Sequence, residues 1–407
     1  MSSLEAMPLL KAISDLVERR RDEAVSFLQS VIRVPSPSGQ EEEAAKVVSD
    51  KMGEAGFAVE VDGLNDVMAV IKGAGRGRSL LLNGHIDHVP AGNMVDPYSG
   101  KLIDGAIFGV EGDVVYGRAA SDMKGALAAM VMAGDVLAEL GVELMGDFKV
   151  AAVAQEEVSG AGTLATIEEG HFLGDVVVVG EATNMEVALG HRGGADMDVV
   201  LRGRSCHASA PERGINALYK AVDLISKIRS ELVPRLPAHP VFGKTTLTVT
   251  RIAVKPDVAN VVPEECSFHI DCRNGPDFPA AALKSALEEI ISSIRAEDTE
   301  MNATVIPTGT ISGSRSFTGF YTDPRMHPVV AEVVNSISEV LVHKPDTKMW
   351  SFATDGRFYS WLGIPVLGFG PGEERLAHTN EDHIRVSDYL DSIKVYAWLA
   401  CKICGVG

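Results

Sequence analysis

A chain of 407 residues is too long for one ordinary core, and its 46% hydrophobic share is ample for two domains. Lys and Arg number 37 against 56 Asp and Glu, a net charge of -19 that disfavours nucleic acid and anionic membrane as partners and favours solubility. No apolar run approaches the ~18 residues of a membrane span, and five cysteines, an odd number in a long chain, fit free thiols in a reducing compartment.

The N-terminal MSSLEAMPLLKAISDLVERRRDEAV has no basic flank followed by an apolar core and a small-residue cleavage site. It reads as an amphipathic helix, and the expected location is the cytoplasm. Helices DEAVSFLQSVIRV and EEEAAKVVSDKMGEAG follow, then strands FAVEVDG, DVMAVIKG and SLLLNGHID, helix GALAAMVMAGDVLAELG, and strands KVAAVAQEE and DVVVVGEA. Near-continuous apolar strands separated by helices argue an α/β fold, with a mostly parallel sheet covered on both faces. From about Gly190 the texture changes to period-two segments, MDVVLRG, TTLTVTRIAV and CSFHIDCR, interleaved with helices INALYKAVDLISKIRSEL and AALKSALEEIISSIRAE. With NATVIPTGT this gives a β-α-β-β-α-β order, expected to form a small α+β domain with an antiparallel sheet. Helix HPVVAEVVNSISEVLV and strand IPVLGFGPG restore the first texture, so the expected boundaries are 1–189 and 313–407 for one domain and 190–312 for an insertion.

Cysteine gives little. Cys401 and Cys404 form a C-x-x-C in the terminal helix, read as packing thiols because no second pair accompanies them and no strand leads in. Cys266 and Cys272, six residues apart on one strand, stand about 20 Å apart, beyond disulfide reach.

Open α/β sheets place their ligand crevice at the carboxyl ends of the strands. There the ionisable residues gather: SLLLNGHID ends in His85 and Asp87, VAAVAQEE in Glu156 and Glu157, DVVVVGE in Glu181, and the loop after IPVLGFGPG reaches His378. His85 and Asp87, two apart, would share a strand face, so that the carboxylate holds one imidazole nitrogen while the other binds metal. GRAASDMKGA places Asp122 after a Gly-rich turn at a helix entry. Adjacent Glu156 and Glu157 repel unless something positive sits between them and their neighbours. One could bind a metal while the other serves as a base.

With VPSPSGQEEE, GHIDHVP, YGRAASDMKGA, AQEEVSG, VVGEAT, CHASAPERGINAL, NVVPEECSFHIDCR, FATDGR, FGPG and AHTNEDHI in that order, nearly the whole chain resembles the two-metal hydrolases that include acetylornithine deacetylase, succinyl-diaminopimelate desuccinylase, aminoacylase and glutamate carboxypeptidase. The resemblance implies that His85 and Glu181 bind one metal and Glu157 and His378 the other, with Asp122 bridging. It makes Glu156 the general base, Asp87 the partner of His85, and His207 of CHASAP the donor to the tetrahedral oxyanion. Asn260, Arg273 and Thr354 match substrate-holding positions. The metals, about 3.5 to 4 Å apart, would bind a bridging water, lower its pKa and polarise the scissile carbonyl. Zinc is the first expectation, with manganese or cobalt suiting the same His and carboxylate donors. The insertion resembles a lid and dimerisation domain, which implies a homodimer acting on a small-molecule substrate.

Three departures stand out. His88 replaces a usual Thr, read first as ordinary packing, with an altered pocket or an added ligand as the alternatives; Ala119 replaces a common Gly; and His191 stands where the desuccinylases have the first Arg of an Arg-Arg-Gly pattern, leaving only Arg192. The leading expectation is hydrolysis of a C-N bond, as in an N-acyl amino acid or small peptide. The alternatives are a hydrolytic deaminase acting on an aromatic or other unusual amine, and a non-catalytic metal-binding protein, against which retention of Glu156 argues.

Overall fold

The computed structural model describes residues 3–308, 310–312, 315–316 and 318–407. Met1 and Ser2 of the N-terminal reading, Gly309 of NATVIPTGT, and Gly313, where the second expected boundary falls, lie outside them. The chain forms two compact units, one of residues 1–190, 322–350 and 354–407, the other of 191–321 with 351–353. The second unit therefore continues to Tyr321, past the expected end at Ser312.

In the first unit the strands run Ala58–Val61, Val67–Ile71, Phe148–Val153, Leu80–His85, Val176–Val179, Val366–Gly368 and Val187–His191 across the sheet, with Thr347–Trp350 paired to the last. The central four are mutually parallel, and antiparallel strands flank them on both sides. The sheet is thus mixed, its parallel part confined to the centre.

Leu80–His85 is buried throughout, and its side chains show what covers each face. Successive strand residues point to opposite faces. Asn83 bonds Thr163 and Tyr359, on the helices Ala161–Glu168 and Gly356–Ser360, while a Cβ on Gly84 would meet Met123 and Met130 beside and within the helix Gly125–Glu139. Helices therefore lie on both sides. Gly125–Glu139 is apolar almost all round, which suits a helix sandwiched between the sheet and the C-terminal helix Val386–Cys404. The N-terminal stretch forms two helices, Ser3–Arg19 and Arg21–Arg33, broken at Arg20.

The inserted unit has the strand order Thr246–Lys255, Glu265–Asn274, Met197–Arg202, Ala303–Pro307, all antiparallel. Along Glu265–Asn274, Cys266, Phe268, Ile270 and Cys272 are buried in alternation, against Leu224 of helix Ala217–Lys227 and Leu283 and Leu287 of helix Ala280–Glu297. All five cysteines are free. Burial pushes the thiols of Cys401 and Cys404 up to about 12, the character of packing residues. Among the described residues, no helix is long and apolar enough to cross a membrane.

Candidate active site

The strand Leu80–His85 delivers His85 to its carboxyl end, 1% exposed. A carbonyl can only accept, so the 2.8 Å contact between His85 Nδ1 and the Asp87 carbonyl fixes Nδ1–H as the donor. The Nε2 lone pair then faces Asp122 Oδ1 at 3.3 Å and Glu181 Oε1 at 3.6 Å. A lone pair aimed at two carboxylates is repulsive unless a proton or a cation lies between them. Burial opposes a charge on this ring, yet Asp122 and Glu181 shift the His85 imidazole well above its usual range.

The second oxygen of Asp122 turns the other way. Asp122 Oδ2 lies 3.1 Å from His378 Nε2, which also lies 3.0 Å from Glu157 Oε2. Asp122 and Glu157 push the His378 imidazole up to about 10. Asp122 itself is held far below the carboxylate range by His378 and His85, which outweigh its burial. Glu181 is shifted well upward by burial and by the Asp122 charge, Glu156 by burial and by Asp355. Nitrogen and oxygen donor atoms of His85, Asp122 and Glu157 lie within 4.8 Å of one another, as do those of His85, Glu156 and Glu181. Hard oxygen and imidazole donors with excess negative charge fit divalent cations of the zinc, manganese or cobalt kind.

The two neighbouring glutamates face different parts of this cluster because their backbone is held bond by bond. Beyond the end of Phe148–Val153, Ala154 N–H donates to Asp66 Oδ1 at 2.7 Å and Gln155 N–H to Glu41 Oε1 at 3.2 Å. Glu156 and Glu157 N–H donate to the two oxygens of Asp87 at 3.0 and 3.2 Å, and Ser38 Oγ donates to Asp87 Oδ2 at 2.6 Å. Gln155 takes a left-handed φ of 57°, which turns the chain so that one carboxylate follows another on diverging paths.

This geometry corrects the expectation for Asp87. Its carboxylate stands 3.6 Å from His85 Nδ1, and its main-chain carbonyl makes the hydrogen bond. Asp87 orients the histidine through its backbone and the glutamate pair through its side chain. Glu41, Asp66 and the buried Lys124 drew no attention in the sequence. Lys124 Nζ donates to Val31 O and Val34 O at 3.1 and 2.7 Å, tying the DMKG segment to the end of Arg21–Arg33; burial lowers it to about 7.

Within the inserted unit, His207 pairs with Val261 across a short ladder, and Ala208 N–H donates to Asn260 O at 3.0 Å, which brings His207 and Asn260 together. Ser209 N–H donates to His207 Nδ1 at 3.1 Å, so the ring proton belongs to Nε2. The guanidinium of Arg273 is engaged twice by Asp271, at 2.9 Å each. Thr354, expected at the substrate, is fully buried, and its Oγ1 accepts from Gly356 N–H at 3.3 Å at the start of Gly356–Ser360. Its hydroxyl serves that turn. His88 accepts from Ser36 N–H at 2.9 Å and bonds Val89 O at 2.7 Å, while burial lowers it to about 4; it is a neutral packing residue. His191 is likewise buried, bonded to Arg192 O and edge-on to Phe320.

The model of the peptidase family M20/M25/M40 matches residues 81–402, the span that holds every residue of this cluster. The chain belongs to that family. As an M20 protein it is a hydrolase, and its resemblance to the two-metal deacylases extends to curated relatives. It is 29% identical over 413 residues to the uncharacterized protein YgeY of Escherichia coli (strain K12), covering 95% of this chain and 98% of that one. Acetylornithine deacetylase of Myxococcus xanthus is 27% identical over 344 residues, 84% of each chain. Among solved structures, the Bacillus subtilis YXEP protein, a dinuclear metal binding peptidase from the M20 family, superimposes with a TM-score of 0.71 at 16% identity, over 95% of this chain and 99% of that one. That likeness is one of fold.

Proposed function

We propose that this M20 hydrolase cleaves the amide of an N-acyl amino acid or small peptide at a centre of two divalent cations. One observation carries the reading: Asp122 presents one oxygen to His85 and the other to His378, the disposition of a bridging carboxylate. His85 and Glu181 would hold one ion, Glu157 and His378 the other. When bound, such ions supply Lewis acidity, polarising the scissile carbonyl and easing deprotonation of the attacking water.

The chain's own groups handle the proton. As water adds to the carbonyl carbon, Glu156 takes one of its protons and then gives it to the leaving nitrogen, so the C-N bond breaks to a carboxylic acid and a free amine. A carboxyl held well above its usual range suits that exchange. His207, with Nε2–H as its free donor, is assigned to the oxyanion. Asn260 and Arg273 are assigned to the substrate, Arg273 by way of exchanging Asp271 for a substrate carboxylate. The five free thiols fit a reducing, cytoplasmic setting.

We further propose a homodimer through the inserted unit. The ten-residue strand Thr246–Lys255 is an edge of its sheet, with Ile252 48% exposed; Tyr219 and Val222 of Ala217–Lys227 are 68% and 53% exposed. Such an edge calls for cover. Light scattering should give twice the chain mass, and a fully active monomer would contradict the assembly. For the reaction, zinc-loaded protein should release free amino groups from a panel of N-acyl amino acids and dipeptides. Ammonia from aromatic amines with no amide cleaved would assign the deaminase reaction instead.

A further inference from the structure

The 117–122 turn that carries Asp122 is held by a residue that neither the motif reading nor the proposed chemistry uses. Asp382 is fully buried, four residues after His378. Alternate main-chain amides of the turn converge on it: Gly117 N–H donates to the Asp382 carbonyl at 3.1 Å, Ala119 N–H to Oδ2 at 2.7 Å, and Ser121 N–H to Oδ1 at 2.9 Å. Arg118 Nη1, itself buried, closes on Oδ2 at 3.3 Å.

Register explains how one residue meets three amides. His383–Arg385 pairs antiparallel with Asp113–Tyr116, His383 opposite Tyr116, so Asp382 stands just past the end of the ladder where the partner strand runs into the turn. Ala119 is left-handed at φ 67°, a conformation that costs a non-glycine residue and persists only where its surroundings fix it. The bond from Ala119 N–H is part of that fixing. The same turn is tied again one residue before Asp122, where Ser121 Oγ donates to His383 O at 3.2 Å and accepts from Glu373 N–H at 3.0 Å. Gly372 allows this close approach, since a Cβ there would lie 2.1 Å from Ser121 O.

We propose that Asp382 is a positioning residue of the metal centre, which clasps the Asp122 turn to the His378 loop and presets the Asp122 carboxylate before any ion binds. The inference rests on the two-metal reading above. Both oxygens of the carboxylate are in use, so an amide cannot replace it: one Asn oxygen can accept from Ala119 or Ser121, and the NH2 group then meets the other N–H, donor against donor. Both ends of the centre share Asp122, so both should weaken when the clasp is lost.

The test uses Co2+ as the probe. Wild-type protein stripped by chelation should take up two Co2+ per chain, and Asp382→Asn, folded by circular dichroism, should take them up with ~10- to 100-fold weaker affinity, the range typical of losing a residue that orients metal ligands. A folded Asp382→Asn with wild-type Co2+ affinity overturns the role. A merely structural residue would lower the melting temperature and leave that affinity alone. Should the variant not fold, hydrogen exchange on the metal-free wild type decides. The amides of Gly117, Ala119 and Ser121 should be among the slowest to exchange, and exchange at unstructured-loop rates overturns the clasp. Wild-type protein that binds no Co2+ counts against the two-metal reading, and the exchange result still judges the clasp.

Discussion

The two ends of the cluster share Asp122 and differ in their access to water. At one end, the side chains of His85 and Glu181 are 1% and 4% exposed; at the other, Glu157 is 9% exposed but His378 is 50% exposed, on a loop. The closed end places its histidine at a strand terminus with Nδ1 fixed by the Asp87 carbonyl. The open end takes its histidine from a left-handed loop position, φ 63°. A buried lone pair between two carboxylates tolerates no vacancy without taking up a proton, whereas the open end can be solvated. The difference predicts one tightly held ion and one exchangeable ion.

The largest effect should come from the residue common to both ends. Asp122→Ala should lower affinity at both sites by more than ~10²-fold and abolish turnover; elemental analysis after gel filtration checks it, and unchanged stoichiometry would refute the bridge. His207→Ala touches neither end. It should keep both ions and the fold yet lower kcat by ~10², and wild-type kcat would remove His207 from the reaction. Mixing inactive His207→Ala and Glu156→Gln chains under subunit exchange then reads whether the donor comes from the partner, by partial return of activity.

A smaller effect separates the ends directly. His378→Ala should retain one ion per chain, and limited chelation of the wild type should remove one ion at least ~10-fold faster than the other, as expected when a ligand's supports differ. Equal loss of both would break the comparison.

The smallest effect concerns the support behind Glu156 and Glu157. Burial, opposed by the Ala154 N–H and aided by the Asp62 and Asp355 charges, pushes Asp66 up to about 8. The folded chain therefore keeps a proton that the unfolded chain releases near pH ~4. Stability from this group is highest below that pH and falls as pH rises from there to about 8, the native state binding more protons throughout the window. Asp66→Asn should make the urea midpoint fall less steeply across that window than it does in the wild type; parallel curves would show that Asp66 is ionised in the fold.

Strand ends were the legible part of this molecule. Apolar runs ending in His85, Glu157 and Glu181 announce both the sheet and the chemistry, because an open sheet gathers exactly those termini into one crevice. What eluded sequence were carboxylates that act on backbone N–H groups. Glu41, Asp66 and Asp382 bond amides 114, 88 and 261 to 263 positions away, and no side-chain spacing signals an amide as partner. Asp87 misled for a related reason: the strand ends at His85, so the alternation that would align the two side chains no longer applies. Thr354 matched a motif, but its full burial and its bond from Gly356 N–H are tertiary features that a motif does not carry.

The central claim is that Glu156 moves the proton at a centre whose ions are held by other residues. Wild-type and Glu156→Gln protein, both loaded with zinc and assayed by elemental analysis, should carry the same two ions per chain. On the best amide substrate of the panel, turnover of the variant should be lower by at least ~10². Equal turnover at equal metal content would contradict the account.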